Sequence, residues 1–201
     1  RLKISGISYI FNATGLKAGF GDSDFCEVNV NCPEGAGWQD EKKGIARILL
    51  KDGSQYFYCT GSLVNNTALD NTPYFLTANH CGKNSSDNDY QMWIFYFNYE
   101  SETCETPGEE PESNTMSGAL LRAKTENNES LASDFKLLEF NNNVPESYQP
   151  YFNGWNRSNG IPASGKGIHH PQGDIKKIST FTTAPISTSW EGSTSEPEEK
   201  Y

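Results

Sequence analysis

The sequence has no run of about 18 apolar residues, so it offers no segment that would cross a bilayer as a helix, and no membrane partner is expected. It has no dense stripe of lysine and arginine either. Its 16 basic residues face 26 acidic ones, a net charge of −10, which leaves little to neutralise phosphates and argues against a nucleic-acid partner. The same sign would favour attraction of cationic substrates, although acidity of this size also serves plain solubility. No internal repeat and no long low-complexity tract is found, so the chain is not a repeat array. It opens on Arg1, with neither Met nor an apolar signal segment, as a processed or trimmed product does.

What is present suits an exported all-β protein, secreted into the periplasm or the medium. Gly, Asn, Ser and Thr are plentiful, and the 10 Tyr and 11 Phe fall largely in short runs. Five cysteines, Cys26, Cys32, Cys59, Cys81 and Cys104, leave one thiol without an internal partner.

Strand signals follow one another after "CPEG": "IARILLKD" (45–52), "YFYCTGSLVN" (56–65), "YFLTANHC" (74–81), "YQMWIFYFNYE" (90–100), "GALLRAKTE" (118–126) and "DFKLLEF" (134–140). Each is short, aromatic or β-branched, and bounded by turn residues such as "KDGS", "DNTP" and "PGEEPES". Six such strands suffice for one small antiparallel barrel. A second series is expected at "YFNGW" (151–155), "GKGIHHP" (165–171), "IKKISTFTTA" (175–184) and "ISTSW" (186–190), too few strands to close a second barrel. Residues 1–25 read as an N-terminal extension, 26–142 as the first barrel, and 143–201 as part of the second.

His80, in "YFLTANHCG", follows an apolar strand directly. A strand fixes the backbone while the imidazole faces a cleft, which is a good place for a general base. The residues alone leave open a second reading, a histidine that merely satisfies hydrogen bonds beside a disulfide. A bridge between Cys59 and Cys81, 22 positions apart, would pin His80 at its foot and add about 3 kcal/mol by loop-closure entropy.

"CTGSLVNN" (59–66) followed by "YFLTANHCG" (74–82) resembles the cysteine, Gly-Ser-Leu and Thr-Ala-x-His-Cys pattern of trypsin-like serine endopeptidases, most nearly the bacterial lysyl endopeptidase group. "CPEG", "SDFKLLEF", "GWNRS" and "GIHHPQGDIKKIS" are similar to that group in the same order. The resemblance implies a chymotrypsin-like double antiparallel β-barrel, with His80 as general base and Asp134 as the carboxylate that orients it. It implies Cys59–Cys81 and Cys32–Cys104 bridges, with Cys26 left unpaired. Trp190 matches a tryptophan near the catalytic histidine, an ordinary barrel aromatic being the alternative. Asn79 is given no role. A metal at His169 and His170 is not expected, because adjacent strand residues point to opposite faces. No cofactor is required, the partner is a peptide or protein substrate, and a monomer is expected.

The nucleophile is missing from the pattern. In the family it lies in a Gly-x-Ser-Gly turn whose backbone N–H groups also build the oxyanion hole. No such turn occurs among the 201 residues: Ser62 matches a structural serine, Ser164 comes too early, and Ser193 and Ser195 lack the glycines. A lost C-terminal segment would account for this, for the odd cysteine and for the short second series, and residues 1–201 alone are then expected to be inactive. The alternative is a protease-like binding or structural module without catalysis. Cleavage after lysine is implied by the resemblance alone.

Overall fold

The computed structural model describes residues 19–125, 134–158 and 160–186. Among these described residues ten strands are formed: β1 (Val28–Asn29), β2 (Ile45–Asp52), β3 (Gln55–Val64), β4 (Tyr74–Thr77), β5 (Ile94–Phe97), β6 (Asn114–Ser117), β7 (Ala119–Lys124), β8 (Lys136–Phe140), β9 (Gly165–His169) and β10 (Lys177–Phe181). One short helix, α1 (Asp87–Tyr90), starts at a capping box in which Ser86 and Asp89 satisfy each other's backbone N–H groups.

Seven strands make one antiparallel sheet in the order β6-β5-β2-β3-β4-β8-β7. Its two edge strands are consecutive in the chain and meet at Gly118, whose φ of 80° turns the backbone from pairing with β5 to pairing with β8. The sheet thus curls around a core, and strict alternation decides what enters it. Phe75 of β4, Phe95 and Phe97 of β5, and Leu138 and Phe140 of β8 are buried, while their neighbours along each strand are less so. Phe95 is central, with its ring centroid 4.4 Å from that of Phe140 and 5.2 Å from that of Phe75.

Strand β2 is covered on both faces. Ala46, Ile48 and Leu50 join the aromatic core, and Arg47 lies buried on the other side, where its Nη1 donates to the Gly173 carbonyl at 2.8 Å. There the second, three-stranded sheet has the order β1-β10-β9. The guanidinium of Arg47 also lies 3.7 Å from the Tyr99 ring centroid and 4.4 Å from that of Tyr96.

Several strand expectations need correction. The 74–81 strand ends at Thr77, because the chain turns there, with Cys81 N–H donating to Ala78 C=O at 3.3 Å. The 90–100 segment begins as the end of α1. Residues 151–155 form no strand. Asn153 makes an isolated parallel bridge to Val64, its backbone bonds going to Leu63 and Asn65. β6 is a seventh strand in the sheet that the sequence reading did not include. Residues 187–190 of the expected last strand, and Trp190 with them, lie outside the described residues.

Candidate active site

β4 delivers the site. It pairs with β3 on one side and β8 on the other, so that Thr77 lies opposite both Gly61 and Lys136. The buried Thr77 hydroxyl donates to Thr60 C=O at 2.8 Å, closing the strand just before the chain turns. Gly61 must be glycine here, since a Cβ would approach the Phe75 ring to 2.2 Å. The turn 78–82 then carries His80 outward, and the Cys59–Cys81 disulfide ties it back to β3. A second disulfide joins Cys32 to Cys104, and Cys26 is free and exposed.

His80 is 73% exposed at its side chain, whereas Asp134 is only 24% exposed. The aspartate holds the histidine at two points. Its Oδ1 accepts the His80 backbone N–H at 2.9 Å, and its Oδ2 meets the ring Nδ1 in a short contact. Partial burial works to raise the Asp134 carboxyl, but the bonds from the His80 ring and backbone, with one from Asn79, outweigh it and hold it below the ordinary carboxylate value. With Nδ1 committed to the carboxylate, Nε2 is the nitrogen left to take a proton. Asp134 is steadied in turn: Thr125 N–H donates to Phe135 C=O at 3.0 Å, and Phe135 N–H donates to the Thr125 hydroxyl at 3.3 Å.

The remaining candidates stand elsewhere. Ser62 donates to Leu63 C=O and accepts from Asn153 Nδ2, both at 2.9 Å, so its hydroxyl braces β3. Ser164 is exposed beside β9, and Ser193 and Ser195 lie outside the described residues. His169 approaches Glu27 at 3.7 Å, while His170 is buried with Nδ1 at 2.9 Å from Asp174 C=O. Among the described residues, the one cluster of metal-type ligand atoms is Cys59, His80 and Cys81. Its two sulfurs are joined to each other and offer no thiolate. A cleft of about 920 Å³, lined by Lys42, Glu100, Glu105, Glu112 and Tyr148 among others, includes neither His80 nor Asp134.

Two residues near His80 escaped the sequence reading. Asn79, given no role there, is buried and donates weakly to Thr125 C=O at 3.4 Å, and its Oδ1 has no partner among the described residues. Lys136 is fully buried and donates to the carbonyls of Cys81 and Gly82 at 2.6 and 2.8 Å. Its signal was present in "DFKLLEF", where it shares the inward alternation of Leu138 and Phe140.

Residues 20–201 match the family described as "Lysyl endopeptidase, C-terminal domain". Lysyl endopeptidase of Pseudomonas aeruginosa is 27% identical over 204 residues, which takes in 96% of this chain and 43% of the Pseudomonas protein. The chain therefore spans less than half the length of that relative. Among solved structures, protease Anisep from Arthrobacter nicotinovorans superposes with a TM-score of 0.54 at 19% identity, over 78% of this chain and 68% of that one. A looser likeness, to the structure of GrC, has a TM-score of 0.43 at 16% identity over 77% and 63% of the two chains, and is too distant to argue from. The fold is all-β and chymotrypsin-like, in agreement with the sequence reading.

Proposed function

This chain belongs to the lysyl endopeptidase C-terminal-domain family, and on that premise we propose that it carries the base and the orienting carboxylate of a secreted serine endopeptidase. The observation that carries this reading is the two-point hold of Asp134 on His80. In the reaction a serine hydroxyl attacks the scissile carbonyl, and His80 Nε2 takes the hydroxyl proton. The base then delivers that proton to the leaving amine, and water repeats the sequence to release the acyl group. Asp134 keeps the proton of the neutral ring on Nδ1 and offsets the imidazolium charge as it forms.

The serine and the oxyanion hole lie outside residues 1–201, because no Gly-x-Ser-Gly turn occurs within them. Cleavage after lysine is supported by the name of the Pseudomonas relative and suits a chain of net charge −10. Two disulfides suit an oxidising, extracytoplasmic setting. The mechanism requires no cofactor, and a monomer with a peptide or protein substrate completes the reading.

Hydrolysis of lysyl and arginyl amide substrates by the native full-length product and by residues 1–201 alone tests it. Inhibitor-sensitive cleavage, faster after lysine, is expected of the first and none of the second. Turnover by residues 1–201 alone would place the nucleophile within them and overturn that part. The absent Gly-x-Ser-Gly turn also favours a second reading, a protease-like module that binds without cutting. A folded native product inert toward every such substrate would select it.

A further inference from the structure

Lys136 is the one charged side chain placed among the inward-facing residues of β8, and an apolar residue would continue the pattern of Leu138 and Phe140. Burying an ammonium is costly unless its donors are satisfied. Among the described residues no carboxylate lies within ion-pair distance of it. Its partners are instead the two carbonyls that follow His80, those of Cys81 and Gly82, and two aromatic rings, Tyr90 and Trp93, at 5.4 and 5.3 Å from Nζ to centroid.

The turn is shaped to receive it. Gly82 has φ of 70°, and a Cβ there would approach Trp93 Cζ2 to 2.5 Å and Ser85 Oγ to 2.4 Å. Only glycine lets the indole close beneath the turn whose carbonyls meet Nζ. The result is a grip from one short stretch of chain on both sides of the histidine. Asp134 holds the His80 backbone N–H and ring, and Lys136, two residues on, holds the next two carbonyls.

We propose that Lys136 is a positioning residue for the base, clamping the 81–82 backbone so that the His80 ring stays on Asp134. The inference rests on the reading of His80 as a base oriented by Asp134. Burial, and behind it the Lys124 charge, pushes the ammonium down to about 8 against the opposing pull of Asp52 and Asp134, so Lys136 remains mostly charged at neutral pH.

NMR of the isotope-labelled native protein and of Lys136→Met, which removes the donors while keeping much of the volume, reads this without any turnover. In the native protein His80 should show a downfield Nδ1–H resonance and ring ¹⁵N shifts of the Nδ1–H tautomer. In K136M that resonance should be lost and the tautomers mixed, with the core resonances of Phe97 and Phe140, which do not contact the ammonium, unmoved. An unchanged His80 signature in folded K136M would overturn the clamp and leave the base assignment standing. A native His80 in the Nε2–H tautomer would overturn the base assignment and the clamp with it.

If K136M does not fold, the native protein still decides. Scalar couplings across the hydrogen bonds from Lys136 Nζ to the Cys81 and Gly82 carbonyl carbons support the clamp. Their absence, with the ammonium protons exchanging freely with water, overturns it.

Discussion

His80 and His170 carry the same ring, and each has its Nδ1 on an aspartate, yet they stand in opposite environments. At His80 the partner is a side-chain carboxylate and the ring is largely exposed. At His170 the partner is the backbone carbonyl of Asp174, the ring is buried and stacked on Tyr99 at 6.0 Å, and the enclosed Nε2 has no partner among the described residues. The Asp174 carboxylate is turned away, accepting from Gly21 N–H at 2.8 Å and from Ile175 N–H at 2.7 Å. A histidine that must accept and return a proton needs an open nitrogen and an anion behind it. His80 has both, and His170, despite standing in the more conspicuous "HH" pair, has neither.

Asp134→Asn in the native full-length product should lower kcat by about 10⁴, because the amide no longer holds the ring in the working tautomer. Steady-state kinetics at saturating substrate checks this, and a loss of tenfold or less would separate Asp134 from the chemistry.

A smaller effect concerns His170 and appears in stability. Burial, with Lys176 behind it, holds its pKa well below the ordinary 6.5, so below that pH protons bind the unfolded chain first. The contribution of neutral His170 is complete above pH 6.5 and falls by about 1.4 kcal/mol per pH unit as the solution is acidified below it. Urea melts between pH 7 and 5 should show that slope, and His170→Phe, which keeps an aromatic ring against Tyr99, should flatten it. Asp134 works in a separate, lower window. Its depressed pKa contributes stability above the ordinary 3.8 that is lost only as the pH drops through the folded value.

The smallest effect concerns the second aspartate. Burial works to raise Asp174, but bonds from Ser23, Gly21 and Ile175 hold it below its ordinary value. Asp174→Asn should therefore cost roughly 1–3 kcal/mol in thermal or urea unfolding while leaving substrate hydrolysis unchanged. A loss of activity comparable to that of D134N would erase the distinction between the two pairs.

Much of the fold was legible because the strands obey a simple alternation. β2 matches its expected bounds of 45–52, and the "KDGS" turn closes on β3 with Gly53 at φ of 62°. β6 was not legible: "NTMS" is polar and only partly buried, and hydrogen bonds to β5 define it. Residues 151–155 misled in the other direction, having strand-like aromatics but a backbone held by β3 and its following loop. The His80–Asp134 pair spans 54 residues, a distance that no local pattern bridges, and it was found through a family resemblance. Lys136 was missed because a lysine in a strand is ordinarily read as facing solvent.

A fluorophosphonate probe reports whether His80 activates a serine. On the folded native full-length product, one serine outside residues 1–201 should be labelled covalently, and His80→Ala should lose that labelling. No labelling of the folded protein, or labelling that persists undiminished in H80A, would contradict it.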